Sequence, residues 1–205
     1  MDQWEGFGSA DSLAAALLGA NSTRFRHVGG VAIAAADAAA AVPADDTALL
    51  VAAGWLHDIG YAKAVVDTGF HPLDGARYLR RIGAPERLCR LVAQHTAARI
   101  EAEGRGLLAE LMAEFPPEDS GTADALTFAD MTTGPNGRRV SARERLLEIL
   151  VRYPPDHVVH ESIMRATPVL MATVARVEAR LAAVDEERSS DYLAASLWPD
   201  DPLAG

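Results

Sequence analysis

The apolar stretch Leu49-Leu50-Val51-Ala52-Ala53-Gly54-Trp55-Leu56 runs directly into His57-Asp58-Ile59-Gly60. A segment this apolar has to be buried, so it carries an imidazole and a carboxylate to the end of an interior helix. Two adjacent polar heads there can converge on one cation. Gly60 is expected to stop the helix and turn the chain away, leaving both heads at the helix end. An isolated His-Asp pair has a simpler use, with the aspartate solvated and the histidine capping a helix carbonyl. The other segments of the chain have to separate the two.

Those segments also read as helices. Ser9 or Asp11 can cap a short helix through Leu17-Leu18, ended by Gly19, and Asn21-Ser22-Thr23 caps a second from about Arg24 to Val42, stopped by Pro43. Gly29-Gly30 weakens that second helix by roughly 1 kcal/mol per glycine relative to alanine, a cost that a closely packed neighbouring backbone would explain. Asp45-Asp46 opens a third helix that runs to the His-Asp pair, with its acidic residues at the positive end of the helix dipole. Residues 61–70 read as a loop, and His71-Pro72 opens a helix of about 72–82, with proline at the first helical position. Ala84-Pro85-Glu86 begins a helix reaching about Ala98, and further helices cover about 106–115 and 123–131. Thr132 to Arg139 is a Gly, Pro and Asn loop, after which Ser141 and Glu144 form a capping-box pattern heading a helix through Val151. A long helix of about 156–185 follows Pro154-Pro155. With no alternating strand pattern of useful length and no internal repeat, the fold class is all-α.

Composition limits the partners. At 205 residues the chain has room for one domain with a helical extension, and 49% hydrophobic with 23% charged residues is ordinary for a soluble globular protein. A net charge of −10 argues against a nucleic-acid partner, which needs a basic stripe, but leaves room for a small phosphate met by a few local cations. Asp37 interrupts the longest alanine-rich run, so no stretch reaches membrane-spanning length, and Met1-Asp2-Gln3-Trp4-Glu5 lacks the positive region of a secretory signal. A cytoplasmic protein with no membrane partner is expected, and a homodimer is compatible with the sequence. The single cysteine, Cys89, lies in Leu88-Cys89-Arg90-Leu91 and reads as a buried structural thiol rather than a nucleophile.

Of six histidines, four occupy helix positions that can face one interior point: His27, His57, His71 and His95. Asp130 closes the mostly apolar segment Leu126-Thr127-Phe128-Ala129-Asp130. Singly, each has an ordinary use as a cap, a packing group or a solvated acid. Together they are ionisable groups in apolar helices and need partners, and a metal satisfies several at once. Imidazole with carboxylate suits Zn, Fe or Mn, whereas an all-oxygen set suits Mg or Ca. His157 and His160 stand three apart on the last helix, complete no such set and read as surface or packing groups. Lys63, Arg24, Arg26, Arg77, Arg143 and Arg145 are the cations available to a phosphate, and Thr132, Thr133 and Asn136 follow Asp130 where they can shape a pocket.

The order Arg26-His27-Val28 with Val31-Ala32, then Leu56-His57-Asp58-Ile59-Gly60, then Ala129-Asp130, resembles the HD-domain superfamily of metal-dependent phosphohydrolases, His-Asp-Ile-Gly subgroup, over about residues 24–150. The resemblance implies an HD-domain-like helical bundle in which His27, His57, Asp58 and Asp130 bind one metal. His71 and His95 match the additional histidines of subgroups that hold two metals, with Asp58 bridging. Small bacterial dinucleoside-polyphosphate hydrolases of the superfamily are similar around His71-Pro72-Leu73-Asp74-Gly75-Ala76 and Gln94-His95-Thr96. Three departures qualify the likeness. Lys63 comes later than the lysine that often follows the His-Asp pair, the Gly-Tyr-Pro signature of cyclic-di-GMP phosphodiesterases is absent, and the residues typical of guanosine-tetraphosphate hydrolases are not evident.

The implied activity is hydrolysis of a nucleotide or other small phosphate ester through a metal-activated hydroxide. Asp58 and Lys63 would serve catalysis, Lys63, Arg24 and Arg143 would meet the phosphate, and one or two divalent ions would bind per chain, Fe or Mn ahead of Zn or Mg. Di-iron oxygenases of the same superfamily use a similar set to cleave C–C or C–P bonds and form the alternative. A non-catalytic helical sensor module with a degenerate site is a third reading, against which stands the presence of all six candidate ligands. The expected layout is an N-terminal helical extension (1–23), the core (24–151), a C-terminal helix packed on it (152–188) and a tail (189–205).

Overall fold

The computed structural model describes the backbone of residues 9–197 and the side chains of residues 9–190; residues 1–8 of the expected extension and 198–205 of the expected tail lie outside them. Ten α-helices occur among the described residues: α1 (Ala10–Leu18), α2 (Thr23–Asp37), α3 (Thr47–Leu56), α4 (His71–Arg81), α5 (Glu86–Gln94), α6 (Ala98–Gly104), α7 (Leu108–Glu114), α8 (Gly121–Met131), α9 (Ala142–Arg152) and α10 (Val158–Leu197). No strand is found among those residues beyond a lone bridge between Thr133 and Arg139, so the all-α expectation holds.

α8 is the axis of the core. Every side chain from Ala125 to Met131 is buried, as a helix that is mostly apolar all round requires. α2 and α3 pack on each other and on α8, and α10 covers α8 from another side while also touching α6 and α9. Small residues set how closely these helices approach. A β-carbon added to Gly54 would stand 2.9 Å from the Ala32 α-carbon, and one added to Gly30 would stand 2.4 Å from the Gly137 carbonyl oxygen. The close backbone that the Gly29-Gly30 pair suggested is therefore the 134–137 loop, and Gly29 itself faces the Trp55 ring.

Caps follow the expected punctuation. Ser22 accepts from the Phe25 amide at 2.9 Å, and Ser141 and Glu144 form the reciprocal capping box; Ser9 departs from the expectation, making no side-chain capping bond at the head of α1, while Ser120 adds a cap by accepting from the Ala123 amide at 3.1 Å. Five boundaries differ from the sequence reading. α2 gives way to a 3₁₀ turn at Ala38–Ala41, and a second such turn, Ala44–Asp46, precedes α3. α3 ends at Leu56, ahead of Gly60, and a 3₁₀ turn over Ile59–Tyr61 follows Asp58. The helix expected to reach Ala98 stops at Gln94, because Thr96 and Ala97 adopt left-handed φ values of 50° and 58°; the chain then starts α6, which periodicity did not reveal. α10 runs past Asp185 to Leu197. No helix among the described residues is long and apolar enough to cross a membrane.

Candidate metal centre

Five helix ends deliver the polar residues to one point in this core. His27 projects from the second turn of α2, His57 and Asp58 follow α3, His71 begins α4, His95 follows α5 and Asp130 is the next-to-last residue of α8. Five of the six are buried, and the His71 side chain is 14% exposed. His27 Nε2 lies 3.1 Å from Asp130 Oδ1 and 3.7 Å from Asp58 Oδ2, and His57 Nε2 lies 3.6 Å from Asp58 Oδ1 and 3.9 Å from Asp130 Oδ1. On the other side of Asp58, His71 Nε2 is 3.2 Å from Oδ1 and 3.3 Å from His95 Nε2. His27, His57 and Asp130 form one group whose ligand atoms lie within 4.8 Å of one another, and His57, Asp58 and His95 form another.

The hydrogen bonds fix what these atoms can accept. Nδ1 of His27 donates to the Gly134 carbonyl at 3.1 Å, Nδ1 of His57 to Gly54 at 2.8 Å and Nδ1 of His95 to Val92 at 2.6 Å. A carbonyl cannot donate, so the proton of each neutral ring sits on Nδ1 and the Nε2 lone pair faces the centre. Those lone pairs meet carboxylate oxygens, which are also acceptors. His27 Nε2, His57 Nε2 and Asp130 Oδ1 are buried without a hydrogen-bond partner. Acceptors crowded against acceptors in a dry core are unstable unless a cation stands between them. The fit to a divalent ion is good, because nitrogen and oxygen donors arrive together with their outer atoms already anchored.

Protonation is consistent with that fit. Burial drives His57 below its ordinary pKa against the pull of Asp58 and Asp130, and burial with the neighbouring His57 and His71 drives His95 down to about 3. Burial alone would raise Asp58, but Arg24, His57 and His71 outweigh it and hold the carboxyl well below the usual range. Asp130 is likewise held down, against burial, by His27, His57 and Arg145. Neutral imidazoles and ionised carboxylates are the forms that bind metal.

Several supporting residues escaped the sequence reading. Thr96 Oγ1 donates to Asp130 Oδ2 at 2.6 Å, from a backbone whose left-handed turn aims it inward. Buried Asp74 accepts from the amides of Asp67, Thr68 and Gly69 and from the Thr68 hydroxyl, tying down the loop that ends at His71. Arg152 lines the opening, and Glu148 accepts from both Arg145 and Arg152. The three-residue spacing of Asp74 from His71 at a helix start was the only hint of any of these.

The cations nominated from sequence separate in space. Arg24 reaches the cluster, with Nη1 2.5 Å from Asp58 Oδ2, and buried Arg145 lies 3.7 Å from Asp130. Arg26 bonds Asn21 and Thr23, and Arg77 pairs with Glu110 and Glu114. Lys63 and Arg143 are exposed and line neither cavity over the cluster. Thr132 and Thr133 return their hydroxyls to the Phe128 and Ala129 carbonyls, so the loop serves the site through the Gly134 carbonyl instead. His157 and His160 make local contacts with Val159 and Tyr153.

The cluster opens into a narrow cleft of about 80 Å³, whose walls include Arg24, Tyr61, Glu101, Arg145, Arg152 and Tyr153. A second cavity of about 510 Å³ shares Arg24, Arg145 and Arg152 with it. A third cavity, about 490 Å³ between α5, α8 and α10, shares only His95 with the six residues of the cluster and lies apart from the chemistry.

The fold and the cluster together define a helical protein built around a His/Asp centre able to hold metal ions. The profile of the HD domain family matches residues 24–149, so the chain belongs to that family, whose members are in general metal-dependent hydrolases. No curated protein and no solved structure matches the chain.

Proposed function

We propose that the protein is a metal-dependent phosphohydrolase acting on a nucleotide or another small phosphate ester, with His27, His57, Asp58, His71, His95 and Asp130 as ligands to two divalent ions, iron or manganese in preference to zinc or magnesium. The observation that carries this reading is the set of inward-facing acceptors beside a mouth bearing three guanidinium groups. Divalent ions bound there supply a lowered water pKa and polarisation of a phosphoryl oxygen. The residues do the rest. Arg24, Arg145 and Arg152 present planar, permanently charged donors to phosphate oxygens, and Glu148 fixes two of them relative to each other. Arg145 is buried, and its Nε has no partner, which leaves a donor for an incoming oxygen. Lys63 and Arg143 stand away from the cleft, so the phosphate contacts pass to Arg145 and Arg152 beside Arg24.

Size supports the division of labour. The cleft of about 80 Å³ suits a phosphoryl group, far below the ~300 Å³ at which small-molecule sites begin, while the cavity of about 510 Å³ that shares its three arginines has room for the organic part of the substrate. The di-iron oxygenase reading uses the same ligands, and a phosphonate substrate would meet the same arginines, so the reaction itself has to separate the two. Phosphate release from a panel of nucleotides and small esters, measured without oxygen on metal-loaded protein, tests the choice. Arg145→Gln is expected to raise KM for the best substrate by roughly tenfold or more, the scale of one charge-assisted hydrogen bond. Oxygen consumption with no phosphate released from any compound would reject the hydrolase.

A further inference from the structure

The four histidines are not held alike. His27, His57 and His95 each lock Nδ1 onto a backbone carbonyl, at 3.1, 2.8 and 2.6 Å. His71 has no such bond among the described residues; its recorded polar contacts run through Nε2, toward Asp58 and His95. Its ring lies instead flat on Tyr61, with centroids 4.1 Å apart and planes inclined by 18°. The same tyrosine ring also carries Arg24, whose Cζ is 4.0 Å from the ring centroid, and Arg24 in turn bonds Asp58. Tyr61 thus contacts both a histidine and an arginine that touch the same carboxylate.

A hydrogen bond fixes both the tautomer and the tilt of an imidazole, whereas a stacked ring fixes the plane alone. Removing an Nδ1 partner from the other three would require rebuilding backbone. Removing the partner of His71 requires only one side chain, and Tyr61 is 42% exposed. We infer that Tyr61 is the positioning residue for the ion that His71 binds, and that this ion is the weaker and more exchangeable of the two. The inference rests on the two-ion reading above and adds to it an asymmetry within the pair. It also places Tyr61 where substrate can reach it, because the same ring forms part of the cleft wall. The carboxylate of Asp58 is shared, but among the four histidines around it His71 is the one without a backbone anchor among the described residues.

Metal content tests this independently of turnover. Wild-type protein, Tyr61→Phe, Tyr61→Leu and His71→Ala are loaded with Mn(II), dialysed, measured for manganese per chain and titrated calorimetrically. Wild type and Tyr61→Phe are expected to hold two ions, since phenylalanine keeps the stacking face. Tyr61→Leu keeps apolar bulk on a partly exposed turn and so preserves the fold, which its melting temperature checks. It is expected to keep one ion at wild-type affinity and to bind the second about 10–100-fold more weakly, the usual scale for losing a residue that orients a ligand. His71→Ala should resemble it. Two ions at wild-type affinity in Tyr61→Leu would overturn the positioning role, as would a wild type holding a single ion. A wild type that holds none would instead remove the metal-centre reading itself, a result distinct from either.

Discussion

Gly60 and His71 meet backbone to backbone: a β-carbon on Gly60 would lie 2.0 Å from the His71 carbonyl oxygen and 2.7 Å from its carbonyl carbon. The glycine of the His-Asp-Ile-Gly element is there for this approach and not for a left-handed helix end. Gly60→Ala is therefore expected to push the start of α4 away from Asp58. The cost should be about 1–3 kcal/mol, as for other overpacked sites, together with weaker binding of the ion on His71. Gly83→Ala, at φ +83° with open space around it, is the control and should cost only about 1 kcal/mol through backbone strain. Thermal denaturation of the two variants side by side measures the difference. Equal losses would contradict the close-approach explanation.

Thr96 ties down the oxygen of Asp130 that does not face the cluster, at 2.6 Å. Thr96→Val leaves that buried carboxylate oxygen short of a donor, which costs about 1–3 kcal/mol. Metal affinity should drop about 10–100-fold. Thr96→Ser retains the hydroxyl and should bind metal nearly as wild type does. Competition with a fluorescent chelator reads both values.

Stripping the metal should loosen the fold. The lone pairs of His27 and His57 then face Asp130 Oδ1 with nothing between them. Ligand present at a hundred times its dissociation constant stabilises by about 2.7 kcal/mol, so calorimetric melting should move up by several degrees on adding Mn(II) to chelator-treated protein. His57→Ala, which removes a member of both ligand groups, should show little of that rise.

Metal-free protein should lose stability on acidification. Burial lowers His95 from 6.5 to about 3, so the unfolded chain takes up its proton more readily than the native one. The contribution is complete above about pH 6.5 and is lost progressively as pH falls toward about 3; His57, also lowered by burial, and the depressed Asp58 and Asp130 act in the same direction. Denaturant midpoints measured across that window should fall, and His95→Gln should flatten the slope. A midpoint independent of pH would mean that the native and unfolded states bind protons equally, against the lowered His57 and His95.

Cys89 should be inert until the protein unfolds. It is fully buried and unpaired, and desolvation pushes its thiol up to about 11. Iodoacetamide at pH 8 should leave native protein unlabelled and modify it stoichiometrically in denaturant. Rapid native labelling would reopen a reactive role.

Much of the helical order was legible because helices announce themselves locally. The capping box at Ser141 and Glu144, the serine cap at Ser22 and the Pro72 start of α4 each depend on residues within one turn. The break at Thr96 and Ala97 was not, since neither residue favours a left-handed backbone and the apolar pattern continues across them. That conformation survives through contacts distant in sequence, among them Thr96 with Asp130. The arginines divide in the same way. Arg24, Arg143 and Arg145 look equivalent in the chain, but Arg143 points to solvent while Arg24 and Arg145 reach the carboxylates.

What the sequence by itself determined was the inventory and its delivery: apolar segments that must be buried, one carrying His27 near its start and others closed by His57-Asp58, His95 and Asp130. Burying such helices forces their polar ends to find common partners, whatever the detailed packing. Tertiary structure alone decided which atoms face inward, through carbonyls at Gly54, Val92 and Gly134 that hold three imidazoles by Nδ1. It alone placed Tyr61 flat against His71, and gave the mouth to Arg24, Arg145 and Arg152. A hydrogen bond or a stacked ring depends on angles and distances between elements far apart in the chain, and residue order along the chain carries no such coordinates.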